Sequence, residues 1–153
     1  MTQEEKNLLI EVLVAFLPYE IKVQVCNITD YTPVLKGIIG DEIFVQFDYA
    51  RPIKNGDSTY NIIKDKVKPY LRPLSSMTEE EKKELSKKYV YSICGNRIHA
   101  HYHSEGYWDD DTELDSDGWE DLFNWLNAHH FDYRGLIEKG LALPAPEGMY
   151  NTK

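Results

Sequence analysis

The 153-residue sequence predicts an α+β fold with an N-terminal helix, a small antiparallel sheet that can curl into an SH3-like barrel, and C-terminal helices. Three observations predict this fold. Apolar residues recur at helical spacing over residues 3–16, apolar and polar residues alternate over residues 20–26, and a second helical stripe covers residues 119–126. Separate helical and alternating segments of this kind are typical of an α+β domain.

The N-terminal helix begins with a capping box. Thr2 and Glu5 have the S/T-x-x-E spacing, in which each side chain accepts a hydrogen bond from the backbone N–H of the other residue. The apolar residues that follow are Leu8, Leu9, Val12, Leu13 and Phe16. Pro18 ends the pattern, so an amphipathic helix is predicted over residues 3–16.

The next segment predicts a three-stranded antiparallel meander. Ile21, Val23 and Val25 alternate with polar residues, as in a half-buried strand. Two further runs, residues 34–39 and 43–47, are apolar and rich in β-branched side chains. A Gly-Asp pair suited to a tight hairpin turn separates them.

A fourth strand is predicted near residues 62–71. Lys64, Lys66 and Lys68 alternate with other residues there, which would give one side of the strand a basic stripe. Together with Arg72, these lysines are the candidates for nucleic-acid binding. RNA or DNA binding would also require interleaved aromatic side chains, and the alternative is a solvated edge strand whose lysines oppose aggregation.

A short helix and a hairpin are predicted next. Thr78 and Glu81 repeat the capping-box spacing, which predicts a surface helix over residues 79–88. Residues 89–93 and 97–103 have the composition of two strands, and a Cys-Gly-Asn turn separates them.

A third helix is predicted from the spacing of its apolar residues. Ser116 or Asp117 is expected to cap it, because short polar side chains favour that position. The stripe comprises Trp119, Leu122, Phe123 and Leu126. We expect these four side chains in the core.

The acidic residues are concentrated in one segment. The formal net charge is −9, and residues 104–121 contain nine acids and no Lys or Arg. The rest of the chain is neutral, which argues against nonspecific binding of DNA or anionic membranes. The candidates for binding a basic protein partner are Asp109, Asp110, Asp111, Glu113, Asp115 and Asp117. The alternative is a solvated acidic loop.

Three histidines alternate along one predicted strand. His99, His101 and His103 would point to the same face, where they could bind zinc or another divalent metal. The triplet spans about 13 Å, so two histidines and a ligand from elsewhere are the more plausible set. Candidates for that ligand are Asp109, Asp111, His129 and His130. The alternative is a polar outer face, with Ile98, Ala100 and Tyr102 turned inward.

Three segments carry a resemblance to known proteins. They are LPY at residues 17–19, VKPYLRPLSSMTEEE at residues 67–81 and WLNAHHFDYRGLIEKGLA at residues 125–142. In these segments the chain resembles a group of small proteins of phages and mobile elements of gut anaerobes. The resemblance spans most of the chain except residues 89–117. It implies an accessory gene of phage or mobile-element origin and assigns no activity or site residue.

The length fits one domain over residues 1–153, with a helix-plus-sheet subregion at 1–75 and a helical and β subregion at 76–153. No apolar run approaches the roughly 18 residues of a membrane span, and the N-terminus lacks the basic charge of a signal peptide. We therefore expect a cytoplasmic protein with no membrane partner.

Cys26 and Cys94 are too few for a disulfide framework, and we expect reduced, partly buried thiols.

The sequence contains no intact catalytic motif. We therefore expect a non-enzymatic accessory protein that binds a host or phage protein and needs no cofactor. Its eleven Tyr and three Trp residues, several of which must be exposed, suit a protein-binding surface. The alternative is a metal-dependent, hydrolytic enzyme that holds zinc or another divalent ion with its alternating histidines.

Overall fold

The computed structural model describes residues 1–29, 31–47, 59–102 and 113–150, and these residues form the predicted α+β fold. The chain separates into two compact units, Met1–Leu71 with Leu136–Pro144 and Arg72–Gly135 with Ala145–Lys153. The observed boundary lies a few residues before the predicted one. The sequence did not indicate that Leu136–Pro144 belongs to the first unit. Within the described ranges, no helix is long and apolar enough to cross a membrane.

Helix α1 of the first unit spans Gln3–Phe16 and has the predicted capping box. The Glu5 backbone N–H donates to Thr2 Oγ1 at 3.1 Å, and the Thr2 N–H donates to Glu5 Oε2 at 2.9 Å. The buried side chains of α1 are Leu9, Val12, Leu13 and Phe16. They pack in the core of the first unit, as their spacing predicts.

The strands in and around the first unit are β1 (Val23–Gln24), β2 (Val34–Ile39), β3 (Glu42–Gln46), β4 (Thr59–Asn61) and β5 (Lys68–Pro73). Strands β2, β3 and β4 form an antiparallel meander, and β1 pairs antiparallel with β5. A bridge between Lys22 and Val34 links the start of β1 to β2. The short strand Leu143–Pro144 runs parallel to β5. No ladder joins β4 to β5 among the described residues, so closure into an SH3-like barrel stays a prediction.

The predicted fourth strand is wrong in its first half, because residues 62–66 form a turn between β4 and β5. Asn61 Oδ1 accepts hydrogen bonds from two backbone N–H groups of this turn, each at 3.0 Å. Asp65 Oδ2 accepts another from the Asn61 N–H at 2.7 Å. Such local side-chain bonds compete with a strand ladder. Ile62 and Val67 are buried at the two ends of the turn, and the alternation of Lys64, Lys66 and Lys68 with other residues between and beyond them imitated a strand.

The second unit contains α2 (Glu79–Lys88), β6 (Tyr89–Cys94), β7 (Arg97–Tyr102), α3 (Ser116–Ala128) and β8 (Phe131–Asp132). Helix α2 begins at its predicted capping box, and β6 and β7 form the predicted antiparallel hairpin. Gly95 occupies the left-handed region at the hairpin turn, with φ +62°. Strand β8 runs parallel to the end of β5. A separate core lies between these elements, with Leu85, Leu122 and Phe131 among its fully enclosed side chains.

Both cysteines are free and exposed, which corrects the prediction of partly buried thiols. Cys26 lies in a turn after β1, with φ +53°. Partial desolvation and the negative charge of Asp65 raise the pKa of the Cys26 thiol. A raised pKa leaves less of the reactive thiolate at neutral pH, so Cys26 has none of the activation that a catalytic cysteine needs.

Candidate functional site

Three aromatic side chains stack along one flank of α3. The ring centroids of Trp119 and Phe123 are 5.6 Å apart with an interplanar angle of 29°, and those of Phe123 and Tyr133 are 5.1 Å apart at 13°. The Tyr133 hydroxyl donates to Asn127 Oδ1 at 2.8 Å, which fixes the end of the stack. We call Trp119, Phe123 and Tyr133 the aromatic ladder.

The aromatic ladder corrects the predicted core stripe of α3. Leu122 and Leu126 are fully buried, as expected, whereas Phe123 is 36% exposed and Trp119 is half-buried. Because successive residues of a helix are 100° apart, Trp119 and Phe123 lie at the edge of the buried stripe. The helical spacing does not indicate that Tyr133, five residues beyond α3, joins them. Phe123 thus adds a partly exposed ring to the stacked rings of Trp119 and Tyr133, and an aromatic patch of this kind is a candidate surface for protein binding.

The outward face of α3 is acidic. Asp117, Glu120 and Asp121 are exposed on it, and the sequence contains no Lys or Arg from Ser104 to Tyr133. Lys88 of α2 approaches this face, with its Nζ 3.4 Å from Asp121 Oδ2. The aromatic ladder therefore borders a surface with an excess of negative charge.

Of the acidic residues predicted to bind a partner, Asp109, Asp110 and Asp111 lie outside the described residues. Glu113, Asp115 and Asp117 are exposed. Asp115 has a structural role: it is the N-cap of α3, which corrects the prediction of Ser116 or Asp117.

The N-cap carboxylate of Asp115 has two hydrogen-bond donors. Its Oδ1 accepts from the Gly118 backbone N–H at 2.8 Å and from the Tyr102 hydroxyl at 3.0 Å. The Gly118 bond and then the Tyr102 bond hold the pKa of Asp115 below its ordinary value. Desolvation, together with the same carboxylate, raises the pKa of Tyr102. Both shifts favour the ionised cap and the protonated phenol that the contact requires.

The alternating histidines lie on an exposed strand face. His99 and His101 of β7 are exposed, while Ile98, Ala100 and Tyr102 between and beyond them are partly or fully buried. This is the inward and outward arrangement expected for a polar outer face. His103 lies outside the described residues.

The residues expected to complete a metal site with these histidines are placed elsewhere or not described. His129 stacks on Trp125, with centroids 4.1 Å apart, and His130 stacks on Tyr150 at 3.8 Å. Glu113, which the sequence suggested for partner binding and not for metal binding, lies beside His101 and pairs with it in an isolated antiparallel bridge. In the described conformation, no three His, Cys, Asp or Glu side chains of residues 1–29, 31–47, 59–102 and 113–150 converge enough to hold a metal ion.

The basic residues predicted as a stripe do not share a strand. Lys64 and Lys66 lie in the turn before β5, Lys66 with φ +49°, and only Lys68 is in the strand. Arg72 is 7% exposed, and its guanidinium donates to Glu81, to Ser76 O at 3.3 Å and to His129 O at 3.1 Å. A buried guanidinium with these partners is a structural anchor, so Arg72 does not extend a phosphate-binding surface.

Arg72 also forms part of the wall of an open cleft of about 520 Å³, together with Thr78 and Tyr150. The positive charge of Arg72 is matched there by Glu81, at 2.7 Å. Glu147 also lines the cleft, so the cleft has no net positive charge to attract an anionic ligand.

Comparison of the chain with protein-family models, with curated proteins and with solved structures finds no match. The aromatic ladder, the acidic face of α3 and the exposed histidines of β7 are therefore the features from which a function can be inferred.

Proposed function

We propose that this protein is a non-enzymatic binding module that holds a basic segment of a protein partner against the aromatic ladder and the acidic face of α3. One observation carries the proposal: Phe123 is 36% exposed between Trp119 and Tyr133, on a helix whose outward charges are all negative. Aromatic side chains are enriched in the buried centres of interfaces, and charged side chains surround them.

The stacked rings suit an apolar anchor of the partner. Phe123 is held between two neighbouring rings, so little side-chain entropy is lost when it is covered. A partner that covers the aromatic ladder removes apolar surface from water, which supplies the binding free energy.

The acidic face determines the charge of the partner. Among the residues that the structure describes, no cation forms an ion pair with Asp117 or Glu120, and α3 contains no Lys or Arg. Complementary charge raises the association rate and disfavours acidic partners, and salt weakens both effects. We therefore propose a segment that combines Lys or Arg with a large apolar side chain.

We further propose that the protein acts in the cytoplasm as an accessory factor of phage or mobile-element type, where its partner is a host or phage protein. The resemblance of residues 67–81 and 125–142 to small proteins of phages and mobile elements supports this part of the proposal. Binding without catalysis or a cofactor is consistent with a sequence that has no intact catalytic motif.

The test is a selection from a random peptide display library on immobilised wild-type protein. We expect enrichment of peptides that contain Lys or Arg near an aromatic or large aliphatic residue, and loss of their binding in a Phe123→Ser variant. Ile39→Ser is the matched control, because Ile39 is 70% exposed in the first unit. The proposal is wrong if no peptide is enriched, or if Ile39→Ser abolishes binding while Phe123→Ser preserves it.

A second pair of variants tests the proposed charge of the partner. Glu120→Gln should slow association with the selected peptides and reduce its salt dependence, whereas Glu80→Gln on α2 should change neither. Equal binding of acidic and basic peptides would contradict the proposed partner chemistry.

A further inference from the structure

The hairpin of β6 and β7 presents three metal-ligating residues on one face. His99 and His101 are two positions apart in β7, so their side chains project from the same face of the strand. Their backbone positions are about 6.6 Å apart along the strand. Glu113 pairs directly with His101 on the other side of β7. Directly paired residues of antiparallel strands place their side chains on the same face, with Cβ atoms about 4.5–5.5 Å apart.

We propose that His99, His101 and Glu113 form a binding site for a divalent transition metal of the zinc type. Two imidazole nitrogens and one carboxylate are a common ligand set for zinc and iron, and they leave a coordination position open for water. This site is distinct from the aromatic ladder and goes beyond the proposed partner binding. It differs from the histidine triplet suggested by the sequence, because a carboxylate from another segment replaces the third imidazole.

Binding at this site requires rotation of exposed side chains. All three residues are exposed, and no described contact holds their side chains away from one another. In the described conformation their ligating atoms do not converge. Rotation among staggered side-chain conformers is inexpensive for exposed residues, whereas the backbone pairing that sets the shared face is already in place.

The opposite strand carries one further candidate ligand. His99 pairs with Ser92 and His101 pairs with Val90 across the hairpin, and neither a serine hydroxyl nor a valine is among the usual zinc ligands. Cys94 pairs with Arg97, two positions from His99, so the exposed Cys94 thiol lies diagonally across from His99 on the same face. Because a cysteine thiolate also binds zinc, Cys94→Ser tests the ligand set. We expect this variant to retain zinc binding, and loss of binding would overturn the set of His99, His101 and Glu113.

The experiment is calorimetric titration of untagged protein with zinc chloride, followed by the absorption spectrum of the cobalt(II) form. We expect one metal per chain. The double variant His99→Ala with His101→Ala should lose binding, and Glu113→Gln should weaken it at least about tenfold, since loss of supporting residues around a metal already costs that much.

Two controls separate this site from nonspecific binding. His130→Asn removes an imidazole while keeping a residue that tolerates the left-handed backbone, φ +62°, at that position. Glu80→Gln removes an exposed carboxylate from α2. Both controls should bind zinc as the wild type does. Absence of zinc binding by the wild type overturns the proposal, and so does unchanged binding by Glu113→Gln. Circular dichroism checks that each variant is folded.

Discussion

The carboxylate of Glu81 joins a helix cap to a buried ion pair. Its Oε1 and Oε2 accept hydrogen bonds from Arg72 Nη2 and Nη1, each at 2.7 Å. The same Oε1 accepts from the Thr78 backbone N–H at 2.9 Å, which closes the capping box of α2. Arg72 in turn lies 4.2 Å above the ring centroid of Phe131. The pair therefore connects β5, α2 and β8 within the second unit.

Arg72→Met should destabilise the protein strongly. The substitution keeps an apolar stem over Phe131 and leaves the Glu81 carboxylate, 3% exposed, without its cation. Removing one partner of a buried ion pair costs about 3–5 kcal/mol. Urea denaturation measures the loss.

The matched control is Lys82→Ala, which removes the exposed ion pair of Lys82 with Glu79 at 3.2 Å. Its expected cost is below about 1 kcal/mol. Adding Glu81→Gln to Arg72→Met should recover part of the loss, because the amide keeps the capping geometry and removes the unpaired charge. Equal costs for Arg72→Met and Lys82→Ala would show that the buried pair adds no more than a surface pair.

The contribution of the ionised Glu81 carboxylate to the free energy of unfolding should disappear in acid. Burial acts to raise its pKa, but the hydrogen bonds from Arg72 and Thr78 outweigh burial and hold the pKa below the ordinary value of 4.5. The unfolded state then binds the proton more readily than the folded state. The stabilisation is complete above pH 4.5 and is lost as the pH falls through the folded-state pKa.

The measurement is the difference in free energy of unfolding between wild type and Glu81→Gln, from pH 7 down to pH 3. Other carboxylates titrate in both proteins and cancel in the difference. We expect the advantage of the wild type to shrink below pH 4.5. A difference that stays constant over the range would contradict the role assigned to the ionised carboxylate.

The starts of α1 and α2 could be predicted because their capping boxes are local. Each box joins residues three positions apart, so the sequence contains both partners in the correct spacing. The turn at residues 62–66 was missed for the opposite reason. Asn61 and Asp65 stabilise it with side-chain bonds to the backbone, while the alternating lysines Lys64, Lys66 and Lys68 imitate the period of a strand.

The candidate sites depend on contacts between distant residues, which a single sequence does not show. The alternation of His99 and His101 was sufficient to predict their shared exposed face. Glu113 lies beside His101 because of a β-bridge between residues twelve positions apart. Tyr133 lies beside Phe123 because the chain reverses direction after α3. Arg72 was predicted as a nucleic-acid contact because it follows the alternating lysines, and Glu81 was predicted as part of a helix cap from its spacing with Thr78. Neither pattern indicated the ion pair between Arg72 and Glu81.

The N-cap of α3 can be tested by comparing neighbouring residues. Asp115→Ala should lower the midpoint of urea denaturation, because it removes the acceptor of both the Gly118 N–H and the Tyr102 hydroxyl. Ser116→Ala, at the position that the sequence suggested, should leave the midpoint close to that of the wild type. A larger effect at Ser116 than at Asp115 would show that the cap is misassigned.

Gly118→Ala should destabilise the protein, although alanine is the better helix former by about 1 kcal/mol. A Cβ atom at this position would collide with the Tyr102 hydroxyl, which approaches the helix to reach Asp115. Relief of the collision requires movement of Tyr102, and overpacking of this kind costs about 1–3 kcal/mol. The double variant with Tyr102→Ala removes the obstacle, so adding Gly118→Ala to Tyr102→Ala should cost less than adding it to the wild type. Stabilisation of the wild-type background by Gly118→Ala, measured by urea denaturation, would show that Tyr102 does not limit the space beside α3.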